Sequence, residues 1–151
     1  MTITLNPTRI IDEVRRKAHF EVQPIPDAEA RFDARAGLEK MDDLEQSLLV
    51  ADLRLQEIMM RFLVHDETVE VEDTPGLPQS FTYELVFGER RMKGKLPALT
   101  GAMHDFLVNE TLSKHFSMVT QTQLADRHAE QAELCSKRIT ELLFTKNPPI
   151  V

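Results

Sequence analysis

Between Met41 and Phe62 the apolar residues recur at alternating steps of three and four: Met41, Leu44, Leu48, Ala51, Leu55, Ile58 and Phe62. This spacing keeps them on one side of a helix with 3.6 residues per turn, whereas a strand of period two would scatter them over both faces. The run fills about three heptads. Leu49, Leu53, Met59 and Leu63 widen the stripe. A wide stripe suits a helix packed against several neighbours better than one strand of a coiled coil. The expectation is a single long helix from Leu38 to about Val64.

Other segments supply the neighbours. Asn6-Pro7 reads as a helix start, because Asn caps well and Pro at the first helical position gives up only an amide that would have no partner anyway. Ile10, Ile11, Val14 and Ala18 then share a face. Gln23-Pro24-Ile25-Pro26 stops that helix. Asp27 can cap a second one, Ala28 to Ala36, with Gly37 placed to end or kink it. Pro97 suits the first turn of a helix carrying Leu99, Met103, Phe106 and Leu107 and reaching about His115. A last long helix runs from about 117 to 144, on Leu124, His128, Ala132, Cys135, Ile139 and Leu142, and ends before Lys146-Asn147-Pro148-Pro149.

The stretch from Phe81 to Lys95 admits two readings. Phe81, Tyr83, Leu85 and Phe87 alternate with Thr82, Glu84 and Val86, as in a half-buried strand, and Val69 and Val71 would complete a β-hairpin over 67–87. Alternatively Ser80 caps a helix with Phe81, Leu85, Gly88 and Met92 on one face. A lone two-stranded hairpin is marginal in water, so the helix is the expectation and the hairpin the alternative. The fold class expected is all-α: a helical bundle with two long amphipathic helices, about 38–64 and 117–144, and shorter ones. The 151 residues form a single domain, with residues 1–36 an N-terminal extension packed on it.

Composition narrows the function classes. A chain of this size buries roughly 68–70% of its unfolded surface and needs no disulfide or metal to be stable. The net charge is −7, and no basic stripe runs along the chain, which disfavours nucleic acid as a partner. A single cysteine, Cys135, excludes an intrachain disulfide. No basic segment followed by an apolar one opens the chain, and the longest uncharged apolar runs are too short to span a bilayer. The localisation expected is cytoplasmic or virion-associated, with no membrane partner.

Candidate chemistry is sparse. Asp66, Glu67, Glu70, Glu72 and Asp73 offer oxygens to a hard cation, but the alternating ligands, central Gly and distal Glu of a calcium loop are absent, and the stretch reads as a solvated loop. The histidines are His19, His65, His104, His115 and His128; none belongs to an H-E-x-x-H or Glu-x-x-His pattern. His128 and Cys135 lie two turns apart on one apolar face. A Cys–His pair fits that separation, yet no third ligand or orienting carboxylate accompanies it, so a core histidine and a buried thiol are the preferred reading. Asp105 next to His104, and Asp126 near His128, are expected to point apart. There is no G-x-S-x-G, no Cys-x-x-Cys and no glycine-rich phosphate loop. The reading is therefore not an enzyme, with no catalytic, cofactor-binding or metal residue and no cofactor.

Arg90, Arg91, Lys93 and Lys95 form the marked basic cluster, and it complements the acidic run at 66–73. Were the two on opposite sides of a subunit, they would meet between copies in a heterologous contact, which closes into a ring when the rotation allows. These nine charged residues are the expected interface of a homo-oligomer. Two alternatives stand beside it. One is a binding module for a partner helix or peptide, using Met59, Met60, Met92, Met103 and Met118 as an adaptable surface; the same methionines also suit core filling. The other is a small metal-binding protein built on His128, Cys135 and the acidic stretch.

The opening ITLNPTRIIDEV, the long helix at 38–64, the crossover and the stretch FGERRMKGKLPALTGAMHDFLV give the chain a general resemblance to small helical virion-assembly proteins of tailed phages and prophages, of the head–tail connector or completion type. The resemblance implies a non-enzymatic protein that assembles as rings through helix packing and loops reaching a neighbour, with other virion proteins as partners. That family has no catalytic motif to match, so no residue role carries over. This chain is longer than the smallest connectors, and its first 36 residues are where it departs from them.

Overall fold

The computed structural model describes residues 1–64 and 76–144. Strand β1 (Thr2–Leu5) leads into helix α1 (Pro7–Val22), followed by α2 (Ala28–Glu39) and α3 (Met41–Met59), which continues as a 3-10 turn over Met60–Phe62. Strand β2 (Phe81–Glu84) and a second 3-10 turn (Glu89–Met92) precede the two longest helices, α4 (Leu96–Met118) and α5 (Thr122–Phe144). The all-α bundle is present, with a small two-stranded sheet against it. Among the described residues no helix is long and apolar enough to cross a membrane.

The helix starts follow local chemistry. Asn6 Oδ1 accepts from the amides of Thr8 at 3.0 Å and Arg9 at 3.4 Å, satisfying two of the first-turn donors of α1. Asp27 Oδ1 accepts from Glu29 N at 3.0 Å and starts α2 in the same way. On α1 the buried face is Ile10, Ile11, Val14, Ala18 and Val22, and on α3 it is Leu44, Leu48, Ala51, Leu55 and Met59. Helix α4 is buried on nearly every side, by Leu99, Met103, Phe106, Leu107, Val108, Leu112 and Phe116. A helix apolar all round belongs in the centre; α1, α3 and α5 pack against it, and β1 touches it too.

Two expectations are corrected. Phe81–Glu84 is a strand, not a helix, and Leu85 continues it as an isolated bridge to Leu63. The strand's partner is β1, antiparallel, with Thr2 opposite Glu84, Ile3 opposite Tyr83 and Leu5 opposite Phe81; Val69 and Val71 lie outside the described residues. The pairing extends on the other side, where Val64 N donates to Glu84 O and Val86 N to Phe62 O, both at 2.8 Å. The sheet is stable because it is not alone: Ile3, Leu5, Phe81, Tyr83 and Leu85 are buried in the core while Thr82, Glu84 and Val86 face outward. Secondly, Gly37 does not end α2. The helix runs to Glu39, and the break falls at Lys40, at φ −80° and ψ 81°. Gly37 instead lets α2 approach α4, since a Cβ there would sit 3.0 Å from His115 Cε1 and 3.1 Å from Val119 Cγ1.

The α4–α5 turn carries no glycine. Thr120 N donates to Ser117 O at 3.2 Å and Gln121 N to Phe116 O at 2.8 Å, the hydrogen-bond pair that closes a helix with a left-handed residue after its cap. Thr120 fills that left-handed place, with φ 59°. Residues 1–36 pack on the rest of the chain through β1 in the sheet and through α1 on α4, and α1 also meets α2.

Candidate functional site

Helix α1 lays a polar stripe across α4 and α5. Glu13, Lys17 and Glu21 fall four residues apart, so they share one face. Glu13 Oε2 is hydrogen-bonded to His104 Nε2 of α4, and Lys17 Nζ lies 3.2 Å from the other oxygen of the same carboxylate. Two turns on, Glu21 Oε2 is 2.6 Å from His128 Nε2 of α5 and its Oε1 accepts from Arg127 at 3.2 Å. His128 Nδ1 lies 2.8 Å from Asn109 Oδ1, and the Asn109 amide donates to the Asp105 carbonyl at 2.9 Å. The His128 ring stacks on Phe116, with centroids 5.7 Å apart. Three helices are thus joined by one chain of polar contacts.

His128 is a core histidine with both nitrogens engaged, and its partners are Glu21 and Asn109. Cys135 is half-buried on a shallow pocket beside Asp105, Leu134 and Arg138. Burial, together with the charge of Asp105, pushes its thiol above the ordinary range against a smaller opposing pull from Lys17. A thiol so placed is a poor nucleophile.

His104 and Asp105 stand closer together than their adjacent helical positions lead one to expect. With Glu13 they bring one ligand atom each to within 4.8 Å of one another. Neighbouring positions on a helix diverge at Cβ, but long side chains can converge when a group from another helix meets both. Burial pushes the Glu13 carboxyl up, and the hydrogen bonds and charges of His104 and Lys17 outweigh it, leaving it below the usual range. His104 lies between two clefts. One, of about 550 Å³, includes Asn6, Arg9, Leu96 and Thr100; the other, of about 330 Å³, includes Arg9, Asp12, Glu13 and Arg16.

A second polar centre joins the sheet to α3. Tyr83 Oη donates to Asp52 Oδ1, and Gln56 donates to Asp52 Oδ2 at 2.8 Å. Burial raises the Asp52 carboxyl in spite of both hydrogen bonds. Burial also raises the Tyr83 phenol, and the Asp52 charge raises it further. Nearby on the other face of α3, Arg54 holds the buried Glu110 at 2.8 Å.

Of the basic cluster, Arg90 and Lys93 are exposed, Lys95 is half-buried, and Arg91 is engaged inside the chain. Its guanidinium lies 4.7 Å from the centroid of Phe87 and 5.9 Å from that of Phe62, and it donates to Leu143 O at 3.0 Å. A cation placed on the last carbonyls of α5 complements the helix dipole. The acidic residues Asp66, Glu67, Glu70, Glu72 and Asp73 lie outside the described residues, as does His65. Met59, Met92 and Met103 fill the core, while Met60 and Met118 are exposed.

An apolar surface surrounds Phe62. Its ring packs edge-on against Phe87 at 6.1 Å and Phe144 at 4.9 Å between centroids. Close by in the chain or across the backbone hydrogen bonds already described, Met60 is 52% exposed, Val64 44%, Val86 60% and Phe144 52%.

The polar seam and this apolar end both draw on segments far apart in sequence. Glu13 lies 91 residues from His104 and Glu21 lies 107 from His128, so spacing rules have nothing to grip. The four-residue rhythm Glu13-Lys17-Glu21 was the one available signal, and it reads equally as a solvated helix face. In comparisons with known proteins, no family model matches this chain, and neither a curated protein nor a solved structure matches it.

Proposed function

We propose that this protein is a non-enzymatic structural or adaptor protein whose copies associate through the apolar end around Phe62. The observation that carries this reading is the clustering of Met60, Val64, Val86 and Phe144, each between 44% and 60% exposed, at one end of the bundle. Exposed apolar side chains gathered in this way cost free energy in water, which is relieved when a partner covers them. A second copy is the occupant we favour. The basic residues Arg90 and Lys93 follow Val86 closely in the chain, and the acidic run 66–73 begins two residues after Val64. In the sequence, charges of both signs thus lie close to residues of this surface, and paired charges of that kind would orient one copy on the next and disfavour unrelated neighbours. An assembly role in a phage or prophage particle, which the sequence resemblance implies, would use such a contact to build a ring.

Size-exclusion chromatography coupled to light scattering tests the reading. The expected result is a mass above 17.3 kDa that rises with concentration to a fixed multiple. A ring would give one closed copy number by native mass spectrometry, and a strict monomer at every concentration would reject association.

A further inference from the structure

We propose that Glu13, His104 and Asp105 form a binding site for a borderline divalent transition-metal ion of the Zn²⁺ class, clipping α1 to α4. This inference is independent of self-association. Three donors, one imidazole and two carboxylates, already stand with their ligand atoms within 4.8 Å of one another. Tetrahedral donors each about 2.1 Å from a zinc ion lie about 3.4 Å apart, so a pair at the 4.8 Å limit closes by about 1.4 Å, shared between two side chains. Glu13 and His104 are partly exposed and Asp105 is exposed, so an ion reaches all three from water; the 330 Å³ cleft that Glu13 and His104 line also holds Asp12, Arg9 and Arg16.

The donor types select the ion. Ca²⁺ and Mg²⁺ take oxygen ligands and gain little from an imidazole, whereas Zn²⁺, Co²⁺ and Ni²⁺ favour it. To ligate through Nε2, His104 would carry its ring proton on Nδ1, and the hydrogen bond to Glu13 Oε2 would give way to a bond from each group to the ion. Lys17 now neutralises Glu13 from 3.2 Å, but its side chain is 40% exposed and free to swing into water. An exposed pair of that kind contributes little to stability, so its loss does not oppose the ion strongly. Three protein ligands leave a coordination position open toward the cleft, the arrangement of zinc sites that keep a bound water. The ligands come from residues 91 positions apart, so occupancy would stabilise the fold by mass action.

Calorimetric titration of the full chain with ZnCl₂, repeated with Co²⁺ for its ligand-field spectrum, tests the proposal. One ion per chain is expected, with a rise in Tm on saturation. His104→Ala and Asp105→Asn should each weaken binding at least tenfold, and His19→Ala, at an exposed histidine on α1, should leave it unchanged. Asp105→Asn alters an exposed side chain and keeps the fold, so it decides the matter even if His104→Ala unfolds. No saturable binding, or binding that Asp105→Asn leaves intact, would overturn the site.

Discussion

At the scale of single residues, the pH dependence of stability draws on a few titratable groups of opposing sign. Asp52 is buried against Tyr83 and Gln56, and burial holds its carboxyl above the ordinary value of 3.8. An acid with a raised folded pKa is penalised when ionised, so its contribution to stability is lost as pH rises past 3.8 through the folded value. Asn at this position keeps an acceptor for the Tyr83 hydroxyl and cannot ionise. The Tm difference between Asp52→Asn and the parent should therefore widen in favour of the variant as pH rises from below 3.8, then level off; thermal melts across the acid range measure it, and a flat difference would contradict the burial argument. His115 works the other way. Burial holds its imidazole below 6.5 although the Ala34 carbonyl partly offsets this, and its Nε2 has no hydrogen-bond partner among the described residues. The unfolded chain gains a proton as pH falls below 6.5 and the folded chain resists it, so this group destabilises the fold progressively below that pH. Glu13, held low by His104 and Lys17, adds to the acid loss at lower pH, as its carboxylate is protonated.

At the scale of elements, two backbone positions show where local rules are obeyed and where packing overrides them. Gly37 lies inside α2, where Ala would ordinarily gain about 1 kcal/mol. The ring of His115 is buried 3.0 Å from a new Cβ, and overpacking of about 1–3 kcal/mol less the gain of about 1 kcal/mol leaves Gly37→Ala with a net cost of up to about 2 kcal/mol. Gly101, in α4 with open space around it, is the control: Gly101→Ala should stabilise by about 0.5–1 kcal/mol. Urea melts of the two variants should move in opposite directions. The α4–α5 turn holds Thr120 at φ 59°, a conformation that costs an L-residue with a branched side chain roughly 1–2 kcal/mol. Thr120→Gly should recover about 1 kcal/mol of that, less the greater freedom of Gly in the unfolded chain; a loss of stability would mean the Thr120 side chain makes compensating contacts.

At the scale of the whole molecule, the helices were readable because their apolar faces repeat over many residues: Leu44, Leu48, Ala51 and Leu55 on α3, and Leu99, Met103, Phe106 and Leu107 on α4, are all buried. What escaped the sequence depended on distant partners. Strand β2 alternates plainly, but its partner sits at the very start of the chain, and without that partner a helix was the better local solution. The α4–α5 break, expected near 115–117, falls a few residues later, between Met118 and Thr122, and no glycine marks the place because Thr120 fills it. Glu13 and Glu21 look like surface charges until α1 is laid across His104 and His128. The apolar end was equally illegible, since Phe62 and Phe144 are adjacent only after the bundle has closed, and exposure of a single Val86 or Met60 means nothing alone. On the reading proposed above, this end joins one copy to another. Sedimentation velocity of the parent chain and of Val86→Glu/Phe144→Asp, compared over a hundredfold range of concentration, tests it most directly. The account predicts a concentration-dependent oligomer for the parent and a folded monomer for the variant. A parent chain that stays monomeric throughout, or a variant that associates as well as the parent, would contradict it.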